Sequence, residues 1–130
     1  MNIGAAAEIT GVTAKTIRYY EEIGLILPAR RSENGYRNYA DEDIQILRFI
    51  QRARRLGFSV RDVESLLTLW QDKDRASADV KKLAIKHIDE VEKRIEEMQS
   101  IRETLIHLTR KCHGNDRPDC PIIRGLAEGA

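Results

Sequence analysis

From Ala84 to Leu108 apolar residues recur at steps of 4, 3, 4, 3, 3, 4 and 3, through Ile88, Val91, Ile95, Met98, Ile101 and Leu105. That is the period of a helix with an apolar seam along one side, with one irregularity near residue 101. Capped by Ser77 and running to about Arg110, such a helix would be roughly 50 Å long at 1.5 Å per residue. In a chain of 130 residues, a single helix of that length cannot bury its seam. Its most economical partner is the same helix from a second copy, so the pattern predicts a homodimer. The alternative is folding back onto the N-terminal part. The polar connector 71–76 (QDKDRA) and the eight-position seam argue against it.

Composition narrows the class. With 33% charged and only 5% aromatic residues, the chain suits a helical protein with thin cores and large solvated faces. No apolar run approaches the ~18 residues that span a bilayer, so no membrane partner is expected. The N-terminal MNIGAAAEITG lacks the basic and apolar regions of a signal peptide. Two cysteines are too few for a disulfide scaffold, and the chain reads as cytoplasmic. A net charge of +1 does not announce nucleic-acid binding, but its distribution does more. Residues 1–70 carry nine Arg and one Lys, whereas 71–130 carry six of each. Arginine's planar fork matches phosphate oxygens and guanine edges, which lysine's point charge does not.

Residues 3–8 read as a short helix ended at Thr10-Gly11. Thr13 then caps a second helix, AKTIRYYEEIG, with Ile17, Tyr20 and Ile23 inward and Gly24 at its end. Two short helices around a tight turn make a helix-turn-helix candidate, a weak signal alone. The following RRSENGYRNY strengthens it. Asn34-Gly35 favours a two-residue hairpin turn, because both positions tolerate positive φ. Arg30, Arg31, Tyr36, Arg37 and Tyr39 flank that turn, as in a wing lying along a phosphate backbone. A plain surface hairpin would not explain the clustered arginines and tyrosines. Asp41 is expected to cap a third helix, with Ile44, Leu47, Ile50 and either Ala53 or Arg54 inward. Ser59 should cap a fourth, with Val63, Leu66, Leu67 and Trp70 inward. The expected organisation is a DNA-binding domain at 1–70, a connector at 71–76, a dimerisation helix at 77–110 and a terminal loop segment at 111–130.

Cys112 and Cys120 are separated by seven residues rich in Gly, Asn, Asp and Pro. A disulfide, a pair of inert buried thiols and a zinc site are the ordinary readings. A disulfide would not persist in a reducing cytosol, and the surroundings are too polar for inert burial. Zinc usually takes four ligands at closer spacings, with His113, Asp116 and Asp119 the available extras. Two thiolates alone suit a soft ion of low coordination number, above all Cu(I). Chemistry favours the soft metal and leaves the others open.

These residues resemble the MerR family of bacterial transcription regulators, in particular its copper-efflux (CueR/HmrR-like) branch. The resemblance covers nearly the whole chain. It rests on ITG-x-T-x-x-x-IRYYEE-x-GL (9–25), RSENGYR-x-Y (31–39), SADVK (77–81) and C-x7-C-P-I-I (112–123). It implies a mainly α fold: a winged helix-turn-helix, then a long antiparallel coiled-coil dimerisation helix and a C-terminal metal-binding loop. It places Lys15, Thr16, Arg18, Tyr19 and Tyr20 on or beside the recognition helix, where Tyr20 could equally be core. Arg31, Tyr36, Arg37 and Tyr39 fall in the wing, and Arg54 on the DNA backbone. It makes Cys112 and Cys120 the ligands of Cu(I), or of Ag(I) or Au(I). Ser77 stands where relatives that sense divalent metals place another cysteine, which favours a monovalent ion.

His113 departs from the family pattern, where proline is expected, and imidazole could serve as a third ligand. The rival reading is therefore a sensor of Zn(II) or Hg(II). The implied mechanism involves no catalysis. The dimer would sit on promoter DNA between elements spaced too far apart for RNA polymerase. Metal would select a conformation that bends and untwists the DNA, switching on copper-export genes. A redox enzyme lacks the C-x-x-C spacing and a βαβ pattern. A structural coiled-coil adaptor would need neither wing nor thiols.

Overall fold

The computed structural model describes residues 1–28, 30, 31, 37–115, 118 and 120–129, without the side chains of Arg30, Arg31 and Arg37. It is mainly helical. The elements are α1 (Ile3–Thr10), α2 (Ala14–Glu22), β1 (Arg30–Arg31), β2 (Arg37–Asn38), α3 (Asp41–Arg55), α4 (Val60–Gln71), α5 (Ser77–Lys111) and α6 (Pro121–Glu128). Contacts divide the chain into two compact units, Met1–Leu83 and Ala84–Ala130.

In the first unit, α1 packs on α2 and α3, and α3 packs on α4. The turn from α1 to α2 is tight because three local interactions agree. Gly11 takes φ +74° and closes α1 with its N–H on the Ala7 carbonyl, a conformation that costs glycine little. The buried Thr10 hydroxyl donates to the Ala6 carbonyl at 2.7 Å and accepts from the Val12 N–H at 3.2 Å. Thr13 then caps α2 by accepting from the Thr16 N–H at 3.1 Å.

The core is built from Ala6, Val12, Ile17, Leu25, Ile44, Leu47, Ile50, Ala53, Phe58, Val63 and Leu67, together with Tyr20 and Tyr39. Ile44, Leu47 and Ile50 line the inner face of α3 at steps of three, as their spacing predicts. Removing Tyr20, Tyr39 and their neighbours from water supplies the main favourable term for so small a unit.

Several expectations are corrected. Ile23 is exposed, because α2 ends at Glu22 and the positive φ of Gly24 turns the chain so that Leu25 enters the core instead. Trp70 is 39% exposed and lies face to face on Phe49, with ring centroids 4.5 Å apart. The residue before α3 is Ala40 rather than Asp41, and the Asp43 carboxylate accepts from its N–H at 2.9 Å. Ser77 is the first helical residue of α5, whose opening turn has Ala76 O accepting from Asp79 N–H. Ser59 caps α4 as expected, through the Asp62 N–H.

In the second unit, α5 keeps its apolar stripe largely in the open: Ile88, Val91, Ile95, Met98, Ile101 and Leu105 are all exposed. Beyond it lies α6, a helix the loop composition of 111–120 gave no reason to expect.

Candidate nucleic-acid interface and thiol site

On α2 the spacing of three and four residues separates two faces. Ile17 and Tyr20 are buried, while Lys15, Arg18 and Tyr19 are exposed together with Glu22. The exposed side carries the donors that a groove-reading helix needs. Thr16 is half-buried and belongs to the cap, its hydroxyl accepting from that of Thr13 at 2.8 Å. Tyr20 is a core residue at 5% exposure.

The two short strands pair antiparallel, Arg30 with Asn38 and Arg31 with Arg37. The ribbon predicted from the arginine-rich stretch is therefore present at its base. Tyr36 and the Asn34-Gly35 turn lie outside the described residues, as do the side chains of Arg31 and Arg37.

Tyr39 is a correction. Its ring is 2% exposed, so it does not belong to the rim. The hydroxyl donates to Glu21 Oε1 of α2 at 2.6 Å. Its backbone N–H donates to the Met1 carbonyl, and its own carbonyl accepts from the Met1 ammonium at 2.8 Å. The ammonium also donates to Asn38 Oδ1. Tyr39 thus pins the exit of the ribbon onto the helices. An aromatic two residues after an arginine carries no sign of this, because alternation along a strand says nothing about what covers its end.

Arg54 is exposed, yet one Nη donates to the Phe58 carbonyl at 2.7 Å and closes the α3–α4 turn. Arg48, Arg52 and Arg55 are exposed on the same helix.

Cys112 follows the last residue of α5, its N–H shared between the Leu108 and Thr109 carbonyls. Cys120 is the N-cap residue of α6, with Pro121 in the first turn. The two helix ends bring the sulfurs to 3.8 Å. Both thiols are half-buried and neither is in a disulfide. His113 and Ser77 are exposed. Asp116 and Asp119 lie outside the described residues. Among the described residues no group of three or more His, Cys, Asp or Glu is gathered as a metal site. Two adjacent, solvent-reachable sulfurs on separate helix ends are donors suited to a soft metal ion.

A helix-turn-helix with an arginine-bearing face and a paired ribbon defines a DNA-binding regulator. Comparison with known proteins agrees. Residues 1–69 match the family described as MerR HTH family regulatory protein, and residues 44–108 match MerR, DNA binding. The chain is 56% identical over 130 residues to the HTH-type transcriptional regulator HmrR of Rhizobium leguminosarum bv. viciae, covering all of both chains. It is 46% identical over 127 residues to the HTH-type transcriptional regulator CueR of Escherichia coli O157:H7, covering 98% of this chain and 94% of that one. Among solved structures it resembles the transcription regulator PbrR691 of Ralstonia metallidurans CH34, crystallised with lead(II). The TM-score there is 0.78 at 28% identity, over 97% of this chain and 98% of that one. The chain belongs to the MerR family, whose members are transcription regulators and not enzymes.

Proposed function

We propose that this chain is a Cu(I)-responsive transcriptional regulator that acts in the cytoplasm. It binds promoter DNA as a homodimer and activates copper-efflux genes by distorting that DNA for RNA polymerase. The observation that carries the metal reading is the thiol pair at 3.8 Å on the facing ends of α5 and α6. The resemblance to the copper-efflux branch and the similarity to HmrR and CueR support it. Cys112 and Cys120 would hold Cu(I), or Ag(I) or Au(I) in its place. When bound, the ion supplies a sulfur–metal–sulfur bridge and some neutralisation of two thiolates. Residues 1–70 serve as the DNA-binding domain, 71–76 as the connector, 77–110 as the dimerisation helix and 111–130 as the sensing segment.

On the DNA, Lys15 and Arg18 reach base edges in the major groove, with Thr16 and Tyr19 beside them. Arg31, Tyr36, Arg37 and the uncommitted part of Arg54 hold phosphates and set register. Tyr20 and Tyr39 support these elements from inside the core. The dimer forms along the open stripe of α5, which carries an apolar groove of about 400 Å³ lined by Val91, Arg94, Ile95, Met98, Gln99 and Arg102. An antiparallel pairing there makes the protein twofold, matching a palindromic site. Tying Cys112 to Cys120 fixes α6 to the end of α5. That change biases the DNA conformation only insofar as the tied form makes different contacts from the untied one.

The test is anaerobic titration with Cu(I), then Zn(II), against a competing chelator, with X-ray absorption on the loaded protein. Two short metal–sulfur distances and negligible Zn(II) competition are expected. A nitrogen shell or tight Zn(II) binding would make His113 a ligand and replace this reading with that of a divalent-metal sensor.

A further inference from the structure

We propose that Cys112 and Cys120 are also an oxidisable pair. Hydrogen peroxide converts them to an intramolecular disulfide, and in that state the chain cannot take up metal. The sulfurs lie 3.8 Å apart, and a disulfide bond is about 2.05 Å long, so the remaining gap is within the sweep of side-chain rotation. No search by the loop is required, because both cysteines are anchored on helix ends. The Cys112 N–H bonds the Leu108 and Thr109 carbonyls, each at 3.2 Å, and the Cys120 carbonyl accepts from the Arg124 N–H at 3.0 Å. Gly114 takes φ +62° and turns the connecting segment, a conformation that disfavours other residues. Both thiols are half-buried, and access of this kind separates oxidisable cysteines from inert buried ones.

The chemistry balances with hydrogen peroxide as the named oxidant. One thiolate attacks the peroxide O–O bond, giving a sulfenic acid and releasing water after proton transfer. The second thiolate attacks that sulfur, the S–S bond forms, and a second water leaves. Two thiols are oxidised by two electrons and one peroxide is reduced to two waters. The same sulfur lone pairs would bind a metal, so oxidation and metal uptake exclude one another. That consequence rests on the copper reading of the site; disulfide formation itself does not.

The experiment treats the reduced full-length protein, under argon, with one equivalent of hydrogen peroxide. The expected product has lost two hydrogens by intact mass, shows no titratable thiol and runs as a single chain on a non-reducing gel. Its Cu(I) uptake against a chelator falls at least about tenfold and returns with dithiothreitol, because only thiolates are ligands. Protein loaded with Cu(I) beforehand should resist the peroxide. Cys120→Ser should lose no hydrogens. Disulfide-linked chains, addition of two oxygens to one sulfur, or two surviving thiols would each overturn the proposal. Reduced protein that takes up no Cu(I) would instead overturn the copper reading, while mass and thiol count still decide the disulfide.

Discussion

Replacing Tyr39 with Phe separates two roles for the tyrosine that ends the ribbon. The ring is 2% exposed and would stay in place in Tyr39→Phe, so apolar burial is unchanged. What is lost is the 2.6 Å hydrogen bond from the hydroxyl to Glu21 Oε1. A bond to a charged acceptor contributes about 1.5–3 kcal/mol. Glu21 is only half-buried and can regain water, which places the expected loss at about 1–2 kcal/mol. Urea unfolding at fixed protein concentration should show a lower midpoint at unchanged slope. Glu21→Gln should overlap with it, leaving a coupling of about 1 kcal/mol in the double-mutant cycle. DNA affinity should fall only as far as the ribbon loosens. An unchanged midpoint with lost promoter affinity would place the hydroxyl on DNA and refute the supporting role.

Three further perturbations test other parts of the molecule. Thr10→Val keeps the shape of a residue 7% exposed but strands the Val12 N–H, and should cost about 1–3 kcal/mol in chemical denaturation; a neutral effect would mean water replaces the hydroxyl. Arg18→Ala should lose about 1–3 kcal/mol of discrimination between operator and mutated operator if the guanidinium reads a base, whereas an equal loss on all sequences would assign it to phosphate. Val91→Asp puts a charge into the open stripe of α5 and should give monomers in sedimentation equilibrium, since an unpaired charge in an apolar interface is strongly unfavourable. A persistent dimer would exclude this stripe as the interface.

Much of the DNA-binding unit was readable because its signals are local. Thr13 and Ser59 cap the helices that follow them, and Ile44, Leu47 and Ile50 lie on one helical face, as their spacing requires. What stayed hidden depends on contacts made across the fold. Tyr39 looks like a rim residue until Glu21 and the Met1 backbone are seen to hold it. Trp70 has the right spacing for a core position but meets Phe49 at the edge. Arg54 resembles its exposed neighbours, yet its guanidinium closes the turn at Phe58. His87, the buried residue of α5, sits 3.6 Å from the Glu90 carboxylate and fell outside the apolar pattern.

The thiol pair shows why a proposed ligand pair can be legible while its setting is not. The cysteine count and spacing single out the candidate donors, since few residue types bind soft ions. Nothing in that spacing says that the second cysteine opens a helix. The signals for α6 were present but short: Pro121 at a first-turn position, Ile122 with Leu126 four residues on, and Gly129 in the left-handed conformation at the end. Eight residues are too few for a helix to stand alone in water, so a reading by propensity discards them. The consequence is mechanical. With Cys112 on the end of α5 and Cys120 at the start of α6, any bond between the sulfurs joins two rigid segments rather than cinching a slack loop. Ile123 and Leu126 of α6 are 68% and 78% exposed. Such a joint would therefore also fix where an apolar helix face points, and a small chemical event at sulfur would be converted into the placement of a surface.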